Sequence, residues 1–286
     1  MLRTLCLAAF LTAIAHAKII VAVSVAPQAW LVENIGGDAV EIVVASPPNA
    51  SAHTFEPKPA QMAKLSKASA YLACGVEFEK IWLKRFEQNA PDMRVFYVDR
   101  GVEKLTLTPL SYDRSAAANR RGAIDTHIWF SAAAMRSQAG YTIEALIAVD
   151  PANETLYRQN GARTIAKIDA LRQELAEKLK PYNDRAFLIH HPALGYFAAE
   201  YGLRQLFIEF ENKEPKIGEL AALTKLAKEE KIKVVFVERG ASPKAAQSLA
   251  SALGAKTEQI TIISDDWESL MRDAADALIK AFNGGD

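Results

Sequence analysis

Five histidines occur in the 286-residue chain, at 16, 53, 127, 190 and 191. A neutral imidazole is a nitrogen donor that suits zinc, at about 2.0–2.1 Å, whereas manganese favours harder oxygen ligands. His53 lies in ASPPNASAHTFEPKPAQM, a turn-rich loop directly after a strand pattern. His127 lies in GAIDTHIWFS, after a basic loop and before a helix. His191 lies in FLIHHPALGYFAAEYGL, between a strand and a helix. Each alone has an ordinary reading: a loop residue, a helix cap, a core imidazole. Their shared placement changes the balance, because all three fall at the C-terminal ends of predicted strands. That edge is where open α/β sheets bind ligands.

The adjacent pair His190-His191 poses a choice. Successive side chains of a strand point to opposite faces. His190 continues the strand alternation and is expected to pack within its own lobe. His191 stands at the strand exit before Pro192, where the chain turns toward a cleft, and is taken as the functional one.

Catalysis by a bound metal is the weaker reading. A zinc hydrolase needs a general base within hydrogen-bond reach, and no HExxH or comparable ligand-plus-base motif occurs. Glu56, in HTFEP, more simply orients a histidine or faces solvent. Zinc sites built on paired cysteines are also excluded. Cys6 falls in an N-terminal segment with the features of an export signal, which leaves Cys74 alone, a small apolar residue in AYLACGVEF.

That N-terminal segment, MLRTLCLAAFLTAIAHA, has a positive start at Arg3, an apolar stretch from Leu5 to Ile14, and a small-x-small end at Ala15-His16-Ala17. It reads as a secretory signal over residues 1–17, too short to span a membrane at about 20 apolar residues. The mature chain would begin at Lys18 in an exported compartment, the bacterial periplasm. The full chain carries 34 basic and 34 acidic residues, and removing Arg3 leaves one net negative charge. Near-neutrality argues against a nucleic-acid partner.

The remaining elements must position these histidines. KIIVAVSVA, VEIVVASPP and RVFYVD read as strands, with helical patterns between them. One of these is EFEKIWLKRFEQNA, where Phe78, Ile81, Trp82 and Phe86 recur at helical spacing. Strands alternating with helices imply βαβ units and mostly parallel sheets. Residues 111–123 read as a basic, alanine-rich surface loop. Asp150-Pro151 then signals a helix start, and Ile168, Leu171, Leu175 and Leu179 form one narrow apolar stripe that Pro181 ends. From Asn153 to Lys180 such a helix would run roughly 40 Å at about 1.5 Å per residue. It reads as a rigid connector between two lobes. The alternation restarts with RAFLIH, RQLFIEF, KVVFVE and EQITIIS as strands, the last helix being WESLMRDAADALIKAF. The division expected is a lobe over 18–149, a linker helix over 150–182 and a second lobe over 183–286.

The blocks VAPQAWLVENIGGDAVEIVVASPPNASAHTFEPKPAQM, CGVEFEKIW, IDTHIWFS, DPANETLYRQN, HHPALGYFAAEYGL, NKEPKIGEL and VVFVERGASPKAAQSLA resemble, in this order, the ZnuA-like periplasmic binding proteins of zinc and manganese ABC transporters. The resemblance covers nearly the whole mature chain. It implies an α/β fold of two (βα)-type lobes with mostly parallel sheets, joined by one long helix, with a metal between them. The family's three histidine positions match His53, His127 and His191. Histidine at the third position is typical of zinc members and glutamate of manganese members, so Zn2+ is the expected cargo and Mn2+ the alternative. The implied partners are a membrane permease and its ATPase, and the chain is expected to act as a monomer that does not itself enter the membrane.

Three departures from the family pattern stand out. Thr261 occupies the place of a frequent aspartate ligand near SDDW. Asp265 could serve if the register slips, with Glu209 and Glu238 as weaker candidates for the fourth position. Residues 111–123 contain no histidine, although zinc members often carry a histidine-rich loop. Thr126 replaces the usual proline before His127.

Overall fold

In the computed structural model, residues 17–47, 55–107, 123–210, 213–241 and 243–284 are described. The proposed signal segment up to residue 16, His53 and most of the basic loop lie outside them. The apolar runs form strands where the sequence places them: β1 (Ile19–Val23), β2 (Val40–Val44), β3 (Ala70–Ala73) and β4 (Arg94–Tyr97). They pair in parallel in the order β2-β1-β3-β4. Between them run α1 (Ala26–Gly36), α2 (Pro59–Leu65) and α3 (Glu79–Asn89). A short antiparallel ribbon follows, β5 (Thr106–Leu107) against β6 (Ala123–Ile124). Then come α4 (Ala132–Val149) and the long α5 (Glu154–Leu179).

The second half repeats the plan. Strands β7 (Ala186–Ile189), β8 (Arg204–Phe207), β9 (Val234–Glu238) and β10 (Lys256–Ile260) pair in parallel in the order β8-β7-β9-β10. Helices α6 (Gly195–Glu200), α7 (Ile217–Glu229), α8 (Lys244–Leu253) and α9 (Trp267–Phe282) complete it. Both sheets thus share the order second-first-third-fourth, which puts a topological switch between the first and third strands of each. The period-2 alternation of the second sheet is plain. Phe187, Ile189, Val234 and Phe236 face one apolar cluster, while Leu188, Leu206, Val235 and Val237 face another, under α7 and α8.

The first of those clusters is not confined to one lobe. It runs from the β1 and β3 residues through Ile168, Leu171, Leu175 and Leu179 of α5 to Phe197, Trp267 and Leu278. The stripe expected of the connector is buried along its length, and Tyr157, Asn160, Gly161 and Thr164 extend it toward the N-terminus. Across the lobes Trp30 and Trp267 sit with ring centroids 5.0 Å apart. The Trp267 indole N–H donates to the Trp129 carbonyl (2.7 Å), and Trp129 Nε1 donates to the Ile262 carbonyl (2.9 Å).

Three local expectations are corrected. Ile81 is 63% exposed, because at about 100° per residue it falls opposite the Leu83–Phe86 side of α3. The strand expected at EQITIIS begins two residues earlier, at Lys256, and ends at Ile260. It is an edge strand of mostly polar residues, so its apolar signal is weak. The helix expected across ALGYFAAEYG is only Gly195–Glu200. Among the described residues no helix is long and apolar enough to cross a membrane.

At the carboxyl edge of the first sheet the buried Glu79 carboxylate accepts from the backbone N–H groups of Cys74 (2.9 Å) and Gly75 (2.8 Å) and from Ser24 Oγ. Burial pushes its pKa up. Gly75 needs φ = +86° there, a left-handed value that suits glycine. Cys74 is buried, and burial raises its thiol well above the ordinary range, which fits an inert structural residue.

A shared core predicts shared unfolding. Leu175→Ala should cost about 2–5 kcal/mol, whereas Leu156→Ala, at a partly exposed position on the same helix, should stay within about 0.5 kcal/mol. Urea titrations followed by tryptophan fluorescence and by far-UV circular dichroism should give one coincident transition. Two separated transitions would contradict the continuous core.

Candidate metal centre

The chain leaves β7 at Ile189 and turns through His190, His191 and Pro192 before α6 begins. His191 therefore stands at the carboxyl edge of the second sheet, as expected. His127 arrives differently from expectation. It follows the two-stranded ribbon β5–β6, not a strand of the first main sheet, and opens a 3-10 turn over Ile128–Phe130. The two imidazoles meet between the lobes, with Nε2 to Nε2 at 3.1 Å and ring centroids 5.0 Å apart, nearly edge to face. His53 lies outside the described residues.

The partners of the other ring nitrogens decide the chemistry. Asp125 Oδ1 accepts both the His127 backbone N–H (2.9 Å) and the Nδ1–H of its ring (2.8 Å). Glu209 Oε1 accepts from His191 Nδ1 at 3.2 Å. An ionised carboxylate can only accept, so each Nδ1 carries the proton. Nε2 is then the nitrogen that each ring turns toward the other. At 3.1 Å the two atoms are within hydrogen-bond reach, so a shared proton, or a cation taking one lone pair from each ring, satisfies both. Nitrogen ligands on a tetrahedral zinc stand roughly 3.3–3.4 Å apart, given bonds of about 2.0–2.1 Å. The observed separation is within about 0.3 Å of that, so the pair fits a small cation with little adjustment. Two carboxylates behind two imidazoles also match a divalent charge in a poorly solvated place: Asp125 is fully buried and Glu209 mostly so.

The fourth-ligand candidates sort themselves by position. Glu209 backs His191 at Nδ1, away from the facing Nε2 atoms, a place from which it can orient the ring. Glu238 Oε2 lies 3.5 Å from His190 Nδ1, and Glu209 Oε2 lies 3.6 Å from the same atom, with Glu214 Oε1 3.5 Å from Nε2. His190 is thus buried among carboxylates of its own lobe, as the strand alternation suggests. Asp265 is exposed, and its carboxylate accepts from the backbone of Asp266 (3.1 Å). Thr261 Oγ1 accepts from the Arg239 guanidinium (3.2 Å), an unsuitable neighbour for a second cation. Among the described residues no group of three or more His, Cys, Asp or Glu side chains gathers in a geometry that could hold a metal ion.

Sequence reasoning missed Asp125 and Tyr196. The signal for the first was present: an acidic residue two positions before His127, in DTH. Thr126, by contrast, donates its hydroxyl to Glu77 Oε2 (3.1 Å), a tie to a residue 49 positions earlier.

Two parallel α/β lobes of like topology, pinned on one long helix and meeting at a pair of inward imidazoles, define a two-lobed binding protein. A family model described as zinc-uptake complex component A, periplasmic, matches residues 21–281, and the chain belongs to that family. Its members are uptake components of metal ABC transporters and not enzymes. The high-affinity zinc uptake system protein ZnuA of Bacillus subtilis (strain 168) is 27% identical, over 83% of this chain and 76% of its own length. A crystal structure of ZnuA is 35% identical with a TM-score of 0.84, covering 92% of this chain and 99% of that one. A crystal structure of a ZnuA deletion mutant plus zinc bound is 34% identical with a TM-score of 0.83, covering 92% and 98%.

If Glu209 orients and does not ligate, Glu209→Gln should weaken metal binding about 10–100-fold without abolishing it. Cobalt(II) absorption is the direct check, since its ligand-field bands report the donor set. The variant should keep the wild-type band pattern at saturation, and a changed pattern would make Glu209 a ligand after all.

Proposed function

We propose that this chain captures Zn2+ in the periplasm between its two lobes and delivers it to the membrane permease and ATPase of an ABC importer. His127 and His191 supply one nitrogen each, and His53 a third from the loop after β2. The observation that carries this reading is the pair of Nε2 atoms held face to face, with a carboxylate against the far side of each ring. The wider division follows the same logic. Residues 1–17 are an export signal, 18–149 and 183–286 are the two lobes, and 150–182 is the helix that fixes their spacing. The protein acts as a monomer.

Manganese is the alternative cargo. The described donors disfavour it, because the carboxylates stand behind the imidazoles and leave nitrogen, not hard oxygen, in front. The fourth coordination position is taken by water, or by a donor outside the described residues.

Metal that binds only the folded protein stabilises it by about 4 kcal/mol at a thousandfold excess over Kd. For a chain of this size that raises Tm by roughly 8–16 °C. Zinc should produce such a shift at neutral pH, manganese a much smaller one. His191→Ala should remove most of the zinc shift, and His190→Ala should leave most of it. Equal loss in both variants, or no shift in the wild type, would overturn the assignment. N-terminal sequencing of the protein recovered from the periplasm should begin at Lys18.

A further inference from the structure

Asp125 is fully buried, yet only one of its carboxylate oxygens is occupied. Oδ1 holds the His127 backbone and ring, while Oδ2 makes no hydrogen bond. What faces Oδ2 comes from the other lobe: the α-carbon of Gly195, at the start of α6. A β-carbon built at Gly195 would overlap Asp125 Oδ2 far inside van der Waals contact, with Gln205 Nε2 next at 3.5 Å. The carboxylate cannot simply rotate aside, because turning it would pull Oδ1 off both donors of His127.

Gly195 has no backbone reason to be glycine. It is absent from the residues with positive φ. Alanine is the better helix former and would ordinarily stabilise the first turn. The neighbouring residue adds a second tie: the Tyr196 hydroxyl donates to the Asp125 carbonyl (3.1 Å) and accepts from the Leu105 backbone N–H (3.1 Å). Leu105 and Asp125 are themselves paired at the end of the ribbon from which His127 emerges, N–H to carbonyl at 2.9 Å.

We infer that Gly195 and Tyr196 are positioning residues that seat Asp125 against His127 from across the lobe interface, so that the second lobe fixes the imidazole of the first. The inference rests on the proposed cation-binding role of His127. The connection that presents His191 reaches Gly195 four residues later. One short segment therefore delivers its own imidazole and locks the tautomer of the opposing one. The facing pair is assembled as a unit, and His127 is fully prepared only where α6 is docked.

The experiment uses the full mature chain carrying Gly195→Ala or Tyr196→Phe. Gly218→Ala is the matched control, since Gly218 also lies in the first turn of a helix and a β-carbon there meets nothing within 4 Å. Two readouts are taken: the tautomer of His127 in metal-free protein, from long-range 1H–15N correlations of the ring, and zinc affinity by competition with a chromophoric chelator. Gly195→Ala should turn the single Nδ1–H form of His127 into a tautomer mixture and lower zinc affinity about 10–100-fold. Tyr196→Phe should act in the same direction at or below the low end of that range, and Gly218→Ala should change neither. Wild-type tautomer and affinity in Gly195→Ala would overturn the inference. So would a loss of affinity with the tautomer unmoved, which marks a merely structural effect. If Gly195→Ala does not fold, an unchanged tautomer in Tyr196→Phe overturns it instead. A wild type that ignores zinc while the tautomer still responds to Gly195→Ala would sink the cargo assignment and leave the inter-lobe clasp standing.

Discussion

Two imidazole Nε2 atoms are made to face each other across the lobe interface, and most of the molecule is arranged to keep them there. Left alone, the rings could rotate or exchange tautomers. Asp125 and Glu209 prevent this by holding the protonated nitrogen of each ring from behind. Pre-organisation of this sort converts structural constraint into affinity, because little ordering remains to be done when the ion binds.

The constraint comes from the way the lobes are joined. Neither sheet owns the whole of its core. The apolar face of α5 contacts both, and the tryptophans at 30, 129 and 267 close the seam by ring packing and by indole hydrogen bonds to carbonyls of the other lobe. Glu200 reinforces the same seam, accepting from Ser131 Oγ (2.5 Å) in the first lobe and from Arg172 (2.7 Å) on the linker helix. An offset of 1 Å between the lobes would be felt directly at a nitrogen pair only 3.1 Å apart.

Much of this was legible in the sequence, and the failures share a cause. The central strands announced themselves because they are buried on both faces and read as unbroken apolar runs. The linker helix was legible because the stripe from Ile168 to Leu179 obeys helical spacing. Strand alternation and the exit before Pro192 were enough to separate the environments of His190, among carboxylates of its own lobe, and His191, facing His127. Ile81 misled because it is apolar but lies on the wrong side of a short helix. The ribbon carrying His127 was mistaken for part of the main sheet, since two-residue strands leave no periodicity to detect. Asp125, Gly195 and Tyr196 could not be joined from sequence. Their contacts span some seventy positions and depend on how the two lobes meet, which no local pattern encodes.

The tryptophan seam also bears on how a captured ion can leave. Prising the sheets apart would wet indole surface, at roughly 4–6 kcal/mol for each ring laid fully bare if about 150–250 Å² is exposed at ~25 cal/mol/Å². The connection between β7 and α6 offers no easier route, because Pro192, Ala193 and Leu194 are buried and the last two belong to the shared core. Withdrawing the His191 nitrogen therefore costs apolar contact by either route, and the interior that brings the two rings together also resists their separation.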